Sequence, residues 1–541
     1  MTILLVGANE RAAYSLAKSY SKKGYKVTVL NDAPHPIQFS RFVNHFVTVT
    51  ASFEKETDKA VIEILAFLQK NKFDCTVPVN DVALTICFQF YESIAAFTKL
   101  LFVNKASTHI FCRDKAALLS QCKQLGIPSP NSTLIQKLSD LNTANIQFPC
   151  IAKPVSSKVY SNGKIFSYTV KKINTKEQLI DFIREKIETV PVMVQEILQD
   201  GYGVGYNFLS VNGEVLNAYA HERINEAWGG GQSTYRKTIN PTQYNLEAYS
   251  KKLIAAIGWT GIAMIEYRIV NNEPYIMEIN GRSWGSIELG IFAGCNLPAD
   301  MVTVLFKNEP LKKFNFESPV YARNLFNEAI WVIQSKSIKV FFKWLWNLKN
   351  VVQKNQLIED NPFKDFRFRI AFIAATANEQ LKKLSGKIKR RFFLPSINVI
   401  TKQKIHPGLN IAFICKGNIN RSAFAEYYVK KMHTNYTVTS YGTVFEENRL
   451  SPVNAIEAAA QWGINLDTHR SKYLTQKAIS DTELFIIMDK INFTDLCLLN
   501  IPANKIFLLN KEGITDPYSH EIDFFKKTFA EIANNLNLIF E

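Results

Sequence analysis

Residues 409–432, LNIAFICKGNINRSAFAEYYVKKM, constrain the chain more than any other stretch. An apolar, β-branched run breaks into a short polar loop, and the loop opens directly into an amphipathic helical pattern. Cys415 and Arg421 bracket that loop with five residues between them. This spacing lets the backbone curl until its N–H groups converge on one anion, and the helix N-terminus adds positive potential. The same field favours the thiolate of Cys415, the form that acts as a nucleophile. Arg421 suits bidentate capture of two phosphate oxygens. Ser422 is placed to donate a hydrogen bond to the sulfur, and Gly417 is read as permitting a backbone turn that a side chain would obstruct. Lys416, Asn418, Ile419 and Asn420 complete the phosphate loop. A leaving oxygen needs a proton, and Asp516 in TDPYSH is the candidate acid, with Pro517 stiffening its loop and Tyr518 at the pocket mouth.

A chain of 541 residues exceeds what one core serves, so several domains are expected. The hydrophobic share of 47% with 21% charged residues is that of a folded protein rather than of extended disorder. No uninterrupted apolar run reaches membrane-spanning length. The start, MTILLVGANERAAYSLAKSY, reads as a buried strand entering a helix and not as a secretory leader. Eight scattered cysteines without CxxC pairs suit a reducing compartment, so a cytoplasmic location is expected.

Three regions follow along the chain. From 1 to about 300, ILLVG, KVTVL, FDCTVPV and LLFVN alternate with helix-length segments, the pattern of a parallel sheet covered by helices. GANERAA is not GxGxxG, so a dinucleotide site is unsupported. From 301 to 404 the chain is basic and aromatic-rich. Between Lys336 and Arg391 there are 14 Lys and Arg against 4 Asp and Glu, whereas from 401 onward the counts are 15 and 15. The net charge of +16 therefore belongs largely to this connector, and without base-reading motifs no nucleic-acid partner is expected. As a helix, IKVFFKWLWNLKNVV (338–352) puts Lys339, Lys343, Asn347 and Asn350 on one face with apolar residues around the rest. It either docks onto the first region or, with KKLSGKIKRRFF (382–393), touches anionic lipid peripherally at the inner membrane face.

The last region resembles the low-molecular-weight protein tyrosine phosphatases across 409–541. That family's CxGNxCRS loop stands here as CKGNINRS, its SAGT segment as SYGT (440–443), its GHxAR segment as THRSK (468–472), its MDxxN segment as MDKIN (488–492), and its DPY loop unchanged at 516–518. The resemblance implies a small parallel α/β domain over 405–541, a brace at Asn418, no cofactor, and turnover through phosphocysteine. Phosphotyrosine on a protein is the implied substrate, or a small phosphomonoester. The family's second loop cysteine is Asn420, which removes protection by a neighbouring disulfide, and Tyr441 replaces the Ala of SAGT. Arsenate reductases share the scaffold but need further resolving cysteines, and this region has only Cys497 besides Cys415.

In the first region, CRDKAALLSQCKQLGIPSP carries Lys115, FPCIAKPVSS carries Lys153, VMVQEILQDGYGVG runs into a Gly-rich turn, and IGWTGIAMIEYRI with PYIMEINGRSWGS present Glu266, Glu278 and Asn280. Two carboxylates and an amide oxygen on neighbouring strands are hard ligands for Mg²⁺ or Mn²⁺ carrying nucleotide phosphates. The two lysines neutralise phosphate charge, and Arg282 is placed for a transferred phosphate or a substrate carboxylate. This ordered set resembles the ATP-grasp superfamily, in its carbamoyl-phosphate-synthase-like branch, over about 1–300. The resemblance implies an α/β pre-ATP-grasp domain over 1–105 and an α+β ATP-grasp domain over 106–300. It further implies ATP and Mg²⁺ as cofactors, adenine contacts at Glu196 and Leu198, and a flexible loop within 221–234. Gly203 falls where many members carry an acidic ribose contact. The implied reaction activates a carboxylate, of unknown identity, for attack by an unknown amine. The whole chain then reads as a bifunctional enzyme, ligase joined to phosphatase. The alternative is an ATP-binding regulatory module without ligase turnover that controls the phosphatase.

Overall fold

The computed structural model describes residues 1–8, 11–101, 104–226, 233–307, 309–377, 397–444 and 447–541. Two compact units divide them. One holds Met1–Ile135, Ala144–Lys172 and Thr189–Ala377; the other holds Gln136–Thr143, Ile173–Glu188 and the C-terminal residues to Glu541.

The chain opens with a five-stranded parallel sheet of β1 (Thr2–Val6), β2 (Lys26–Asn31), β3 (His45–Thr48), β4 (Cys75–Pro78) and β5 (Lys99–Leu100), ordered β3-β2-β1-β4-β5. Ile3, Leu4, Leu5 and Val6 form an unbroken apolar run because both faces of a parallel sheet are covered. Gly7 ends β1 at a positive φ of 81°, where an added methyl would press on the Asn80 amide. Asn80 in turn caps the helix Asp81–Gln89 by accepting from the Ala83 N–H at 2.9 Å, which sets Asp81 in the first turn.

An antiparallel sheet follows, ordered β10-β7-β11-β6, from β6 (Ser132–Ile135), β7 (Cys150–Pro154), β10 (Lys171–Ile173) and β11 (Val192–Glu196). Between β7 and β10 stands the hairpin of β8 (Lys158–Ser161) and β9 (Lys164–Ser167), closed by Asn162-Gly163, both at positive φ as a two-residue hairpin turn requires. The larger sheet has seven strands, ordered β16-β15-β12-β13-β14-β17-β18. They are β12 (Tyr202–Val211), β13 (Glu214–Glu226), β14 (Ser233–Ile239), β15 (Gly261–Val270), β16 (Glu273–Asn280), β17 (Tyr321–Arg323) and β18 (Gln356–Ile358).

The last two strands lie in the stretch expected to be a helical connector. Each is three residues long, too short to show a period of two, and β18 runs parallel to β17 at the sheet edge. Buried ion pairs fasten them: Arg323 with Glu328, 2.5 Å at the closest atoms, and Arg236 with Glu359. The Asp360 carboxylate accepts from the Leu325 and Phe326 N–H groups at 3.0 and 2.7 Å, holding the start of the helix Leu325–Ser335. The helix Ile338–Asn347 completes the crossover between the two strands.

The C-terminal fold is a four-stranded parallel sheet, ordered β20-β19-β21-β22, of β19 (Asn410–Cys415), β20 (Thr437–Gly442), β21 (Leu484–Ile487) and β22 (Ile506–Leu508). The helices Arg421–Met432 and Ile522–Phe540 pack together over it, with Phe424 stacked on Phe529 at 4.2 Å between ring centres. The fold is thus α/β at both ends with two largely antiparallel sheets between. Among the described residues no single helix is long and apolar enough to cross a membrane.

Candidate active sites

β19 delivers Cys415 to the sheet's carboxyl edge, and the helix Arg421–Met432 starts six residues later. Between them the loop folds around the sulfur. The Asn418 N–H points at Cys415 Sγ from 3.2 Å, and the Ser422 hydroxyl lies 3.0 Å from it. Asn418 takes a positive φ of 51°. Its Nδ2 donates to Ser422 Oγ and Ser440 Oγ at 3.0 and 2.7 Å, its Oδ1 accepts from the Lys472 N–H at 2.8 Å, and its carbonyl lies 2.8 Å from His469 Nε2. Burial pulls the His469 pKa down, so the neutral ring serves as the N–H donor to that carbonyl.

Gly417 does not carry the role expected of it. Its φ is not positive, and a methyl there would meet nothing nearer than 3.5 Å. The glycine that close approach demands is Gly442 on β20, where a methyl would sit 3.1 Å from the Lys416 carbonyl oxygen and the Gly417 carbonyl carbon. The Lys416 carbonyl is held from that side by the N–H groups of Thr443 and Val444, each at 3.1 Å. Ile419 and Asn420 are buried, and Asn420 Oδ1 has no partner among the described residues.

Arg421 is buried and steered by carboxylates. Its Nη1 donates to Asp489 Oδ2 at 2.8 Å and the Ile514 carbonyl at 2.7 Å, and its Nη2 lies 2.9 Å from Asp516 Oδ2. Its Nε has no partner among the described residues, a buried donor left for a ligand oxygen. Asp489 was quoted in MDKIN without a role. Its other oxygen caps the helix Lys490–Leu498 by accepting from Ile491 and Asn492. Ser440 and Glu426 were missed as well. Ser440 donates to Glu426 at 2.5 Å; burial alone raises the Glu426 pKa, but Lys472 and the bonds from Lys430 and Ser440 outweigh it and hold the pKa down. The signal was present in SYGT and THRSK, from which Ser440, His469 and Lys472 converge on Asn418.

In the seven-stranded sheet, β15 and β16 pair Glu266 with Glu278 and Met264 with Asn280. Glu266, Glu278, Asn280 and Arg282 line one cavity of about 420 Å³ together with Arg11 and Arg223. Burial raises the Glu266 pKa, Arg223 at 2.6 Å lowers it, and Glu278 raises it again, leaving a net rise. Lys153, buried on β7, donates to Gln195 Oε1 at 2.9 Å. Burial and then Lys115 pull its pKa down to about 8, against the pull of Glu278 and Glu266. Lys115 opens the helix Lys115–Gln124, capped by Asp114, and its N–H donates to the Val155 carbonyl at 3.0 Å.

Arg282 forms a two-pronged pair with Asp81, at 2.8 and 2.9 Å. The Glu196 carboxylate accepts from the Asn131 N–H at 2.8 Å, its own N–H donates to the Asn131 carbonyl at 3.1 Å, and the Leu198 carbonyl takes Arg268 Nε at 3.3 Å. Gly203 donates its N–H to Glu226 Oε1 at 2.9 Å, and a side chain at 203 would overlap that carboxylate. An acid thus stands beside Gly203 after all, supplied by β13. Arg223, His221 and Glu226 went unassigned, although HER alternates so that His221 and Arg223 share one face. Residues 227–232 of the expected loop lie outside the described residues, as do 382–393.

The low molecular weight phosphotyrosine protein phosphatase model matches residues 410–541, and the ATP-grasp domain model matches residues 112–286. Over 130 residues, 23% of this chain, the sequence is 28% identical to a Klebsiella pneumoniae protein named as a low molecular weight protein-tyrosine-phosphatase, 90% of which is covered. Over 178 residues, 31% of this chain, it is 24% identical to the carbamoyl phosphate synthase large chain of Thermus thermophilus, but it spans only 17% of that chain. Among solved structures, an L-amino acid ligase from Bacillus licheniformis is similar at 19% identity with a TM-score of 0.45, covering 57% of this chain and 75% of that one. The chain joins an ATP-grasp domain to a low molecular weight phosphotyrosine protein phosphatase domain.

Proposed function

We propose that the C-terminal domain hydrolyses phosphomonoesters, phosphotyrosine on proteins foremost, by way of a phosphocysteine. The observation that carries this is the convergence of the Asn418 N–H and the Ser422 hydroxyl on Cys415 Sγ beside a buried Arg421. An arriving phosphate takes Arg421 from Asp516, freeing that carboxyl to face the leaving oxygen. Cys415 sulfur attacks phosphorus, the bond from phosphorus to the leaving oxygen breaks, and Asp516 protonates that oxygen. Water then attacks the phosphocysteine, Asp516 takes its proton, and the thiolate departs as inorganic phosphate forms. Hydrolysis of p-nitrophenyl phosphate and of a phosphotyrosine peptide, with Cys415→Ser as control, tests the reading. An inactive wild-type chain rejects it.

For the ATP-grasp domain the reading is activation of a carboxylate for attack by an amine. The crowded pair Glu266 and Glu278 fits a divalent cation, which would let both carboxylates stay ionised with Asn280 as a third ligand. When bound, ATP with Mg²⁺ or Mn²⁺ supplies a γ-phosphoryl group to transfer. Lys115 and Lys153 balance phosphate charge at that site, and Arg223 orients Glu266. The second reading, ATP sensing without ligation, draws on Arg282, whose Nε and one Nη are already committed to Asp81. Substrate-dependent ADP release, abolished by Glu278→Ala, separates the two. Its absence across amino-acid and amine panels favours sensing.

A further inference from the structure

The helix Ile338–Asn347 has no buried residue. One side is fastened: Trp344 Nε1 donates to Glu328 Oε2 at 3.0 Å, and the Asn347 carbonyl accepts from Arg323 Nη1 at 2.9 Å. At 100° per residue, Ile338, Phe341, Phe342, Leu345 and Trp346 fall on the opposite arc. They are 73%, 43%, 60%, 48% and 71% exposed. Five adjoining large apolar side chains left in water mark a surface that something covers.

Charge says what covers it. Lys336, Lys339, Lys343, Lys349 and Lys354 are all exposed, and no Asp or Glu lies between 336 and 354. Lys349 Nζ sits 4.2 Å from the Trp346 ring centre, so cation and aromatic share one edge of the arc. Protein interfaces deplete lysine, whereas aromatics with a lysine border match the level between acyl chains and anionic headgroups. Ten residues make a helix of about 15 Å, half the roughly 30 Å of a bilayer core, so it lies along a membrane and does not cross one.

We propose that the helix Ile338–Asn347 rests in the plane of an anionic lipid bilayer. Phe342, Leu345 and Trp346 enter the acyl boundary while the lysines meet the headgroups. Flotation of the full chain with phosphatidylcholine vesicles, with and without phosphatidylglycerol, tests this. The expected result is partition onto the anionic vesicles only, weakened by salt. Phe342→Ser/Trp346→Ser should lower it at least about tenfold, while p-nitrophenyl phosphate hydrolysis is unchanged. Failure to float with anionic vesicles at low salt overturns the proposal. So does a double variant that floats like the parent, which would assign binding to the basic run 382–391. A chain that ignores vesicles but dimerises through this face, losing the dimer in the double variant, overturns it in favour of a second copy.

Discussion

Asn418 sits in a left-handed conformation that asparagine tolerates, and its side chain holds Ser422, Ser440 and the Lys472 N–H at once. Asn418→Ala loses these bonds and keeps the strained φ, so it should cost about 2–4 kcal/mol in denaturant unfolding, and Asn418→Gly less. Asp489→Asn keeps an oxygen for the helix cap but removes the charge from Arg421; kcat should fall about tenfold while Tm barely moves. Asp516→Asn should lower kcat about 10²–10³-fold on phosphotyrosine and much less on p-nitrophenyl phosphate, whose leaving group needs no proton. In the other site, a Lys153 pKa of about 8 leaves the amine half neutral at pH 8. Nucleotide phosphates favour the ammonium form, so ATP binding should take up a proton. Calorimetry at pH 8 in buffers of differing ionisation enthalpy reads the uptake, and Lys153→Met removes it. Cys415, Arg421 and Asp516 were legible because their spacing is local or their loop is unaltered. Asp489, Asp81 and Arg223 were not, because each acts on a residue far along the chain, 68 positions away for Asp489 and Arg421.

At the scale of the element, β12 shows how close packing shapes the ATP-grasp sheet. A methyl at Gly205 would overlap the His221 ring and approach the Met264 sulfur to 3.1 Å. Gly205→Ala should therefore destabilise the fold by about 1–3 kcal/mol, read as a lowered Tm. The alternation in β15 and β16 was readable, and with it the pairing of Glu266 and Glu278. β17 and β18 were not, since three residues carry no period and part of what holds them in the sheet, the ladder to β14 and the buried pair of Arg236 with Glu359, comes from residues distant in sequence. The Glu226 carboxylate beside Gly203 was hidden for the same reason: it arrives from the next strand over.

For the molecule as a whole, the phosphatase core draws its residues from 397 onward. Val399 bridges to Leu508, and Ile400 is buried, although the expected domain began at 405. A fragment starting at 397 should melt cooperatively and hydrolyse p-nitrophenyl phosphate, and one starting at 405 should melt at lower temperature. Comparing the two by calorimetry checks this. The crossover between β17 and β18 bears on a different quantity, the lifetime of backbone amides. Tyr321 and Arg323 pair with Gln356 and Ile358, and opening that ladder exposes buried ion pairs. Of the helices between them, Ile338–Asn347 buries no residue and leaves its outer face in water. Two neighbouring clocks result: slow deuterium exchange in the strands and fast exchange in the helix, the second slowing only while its outer face is covered.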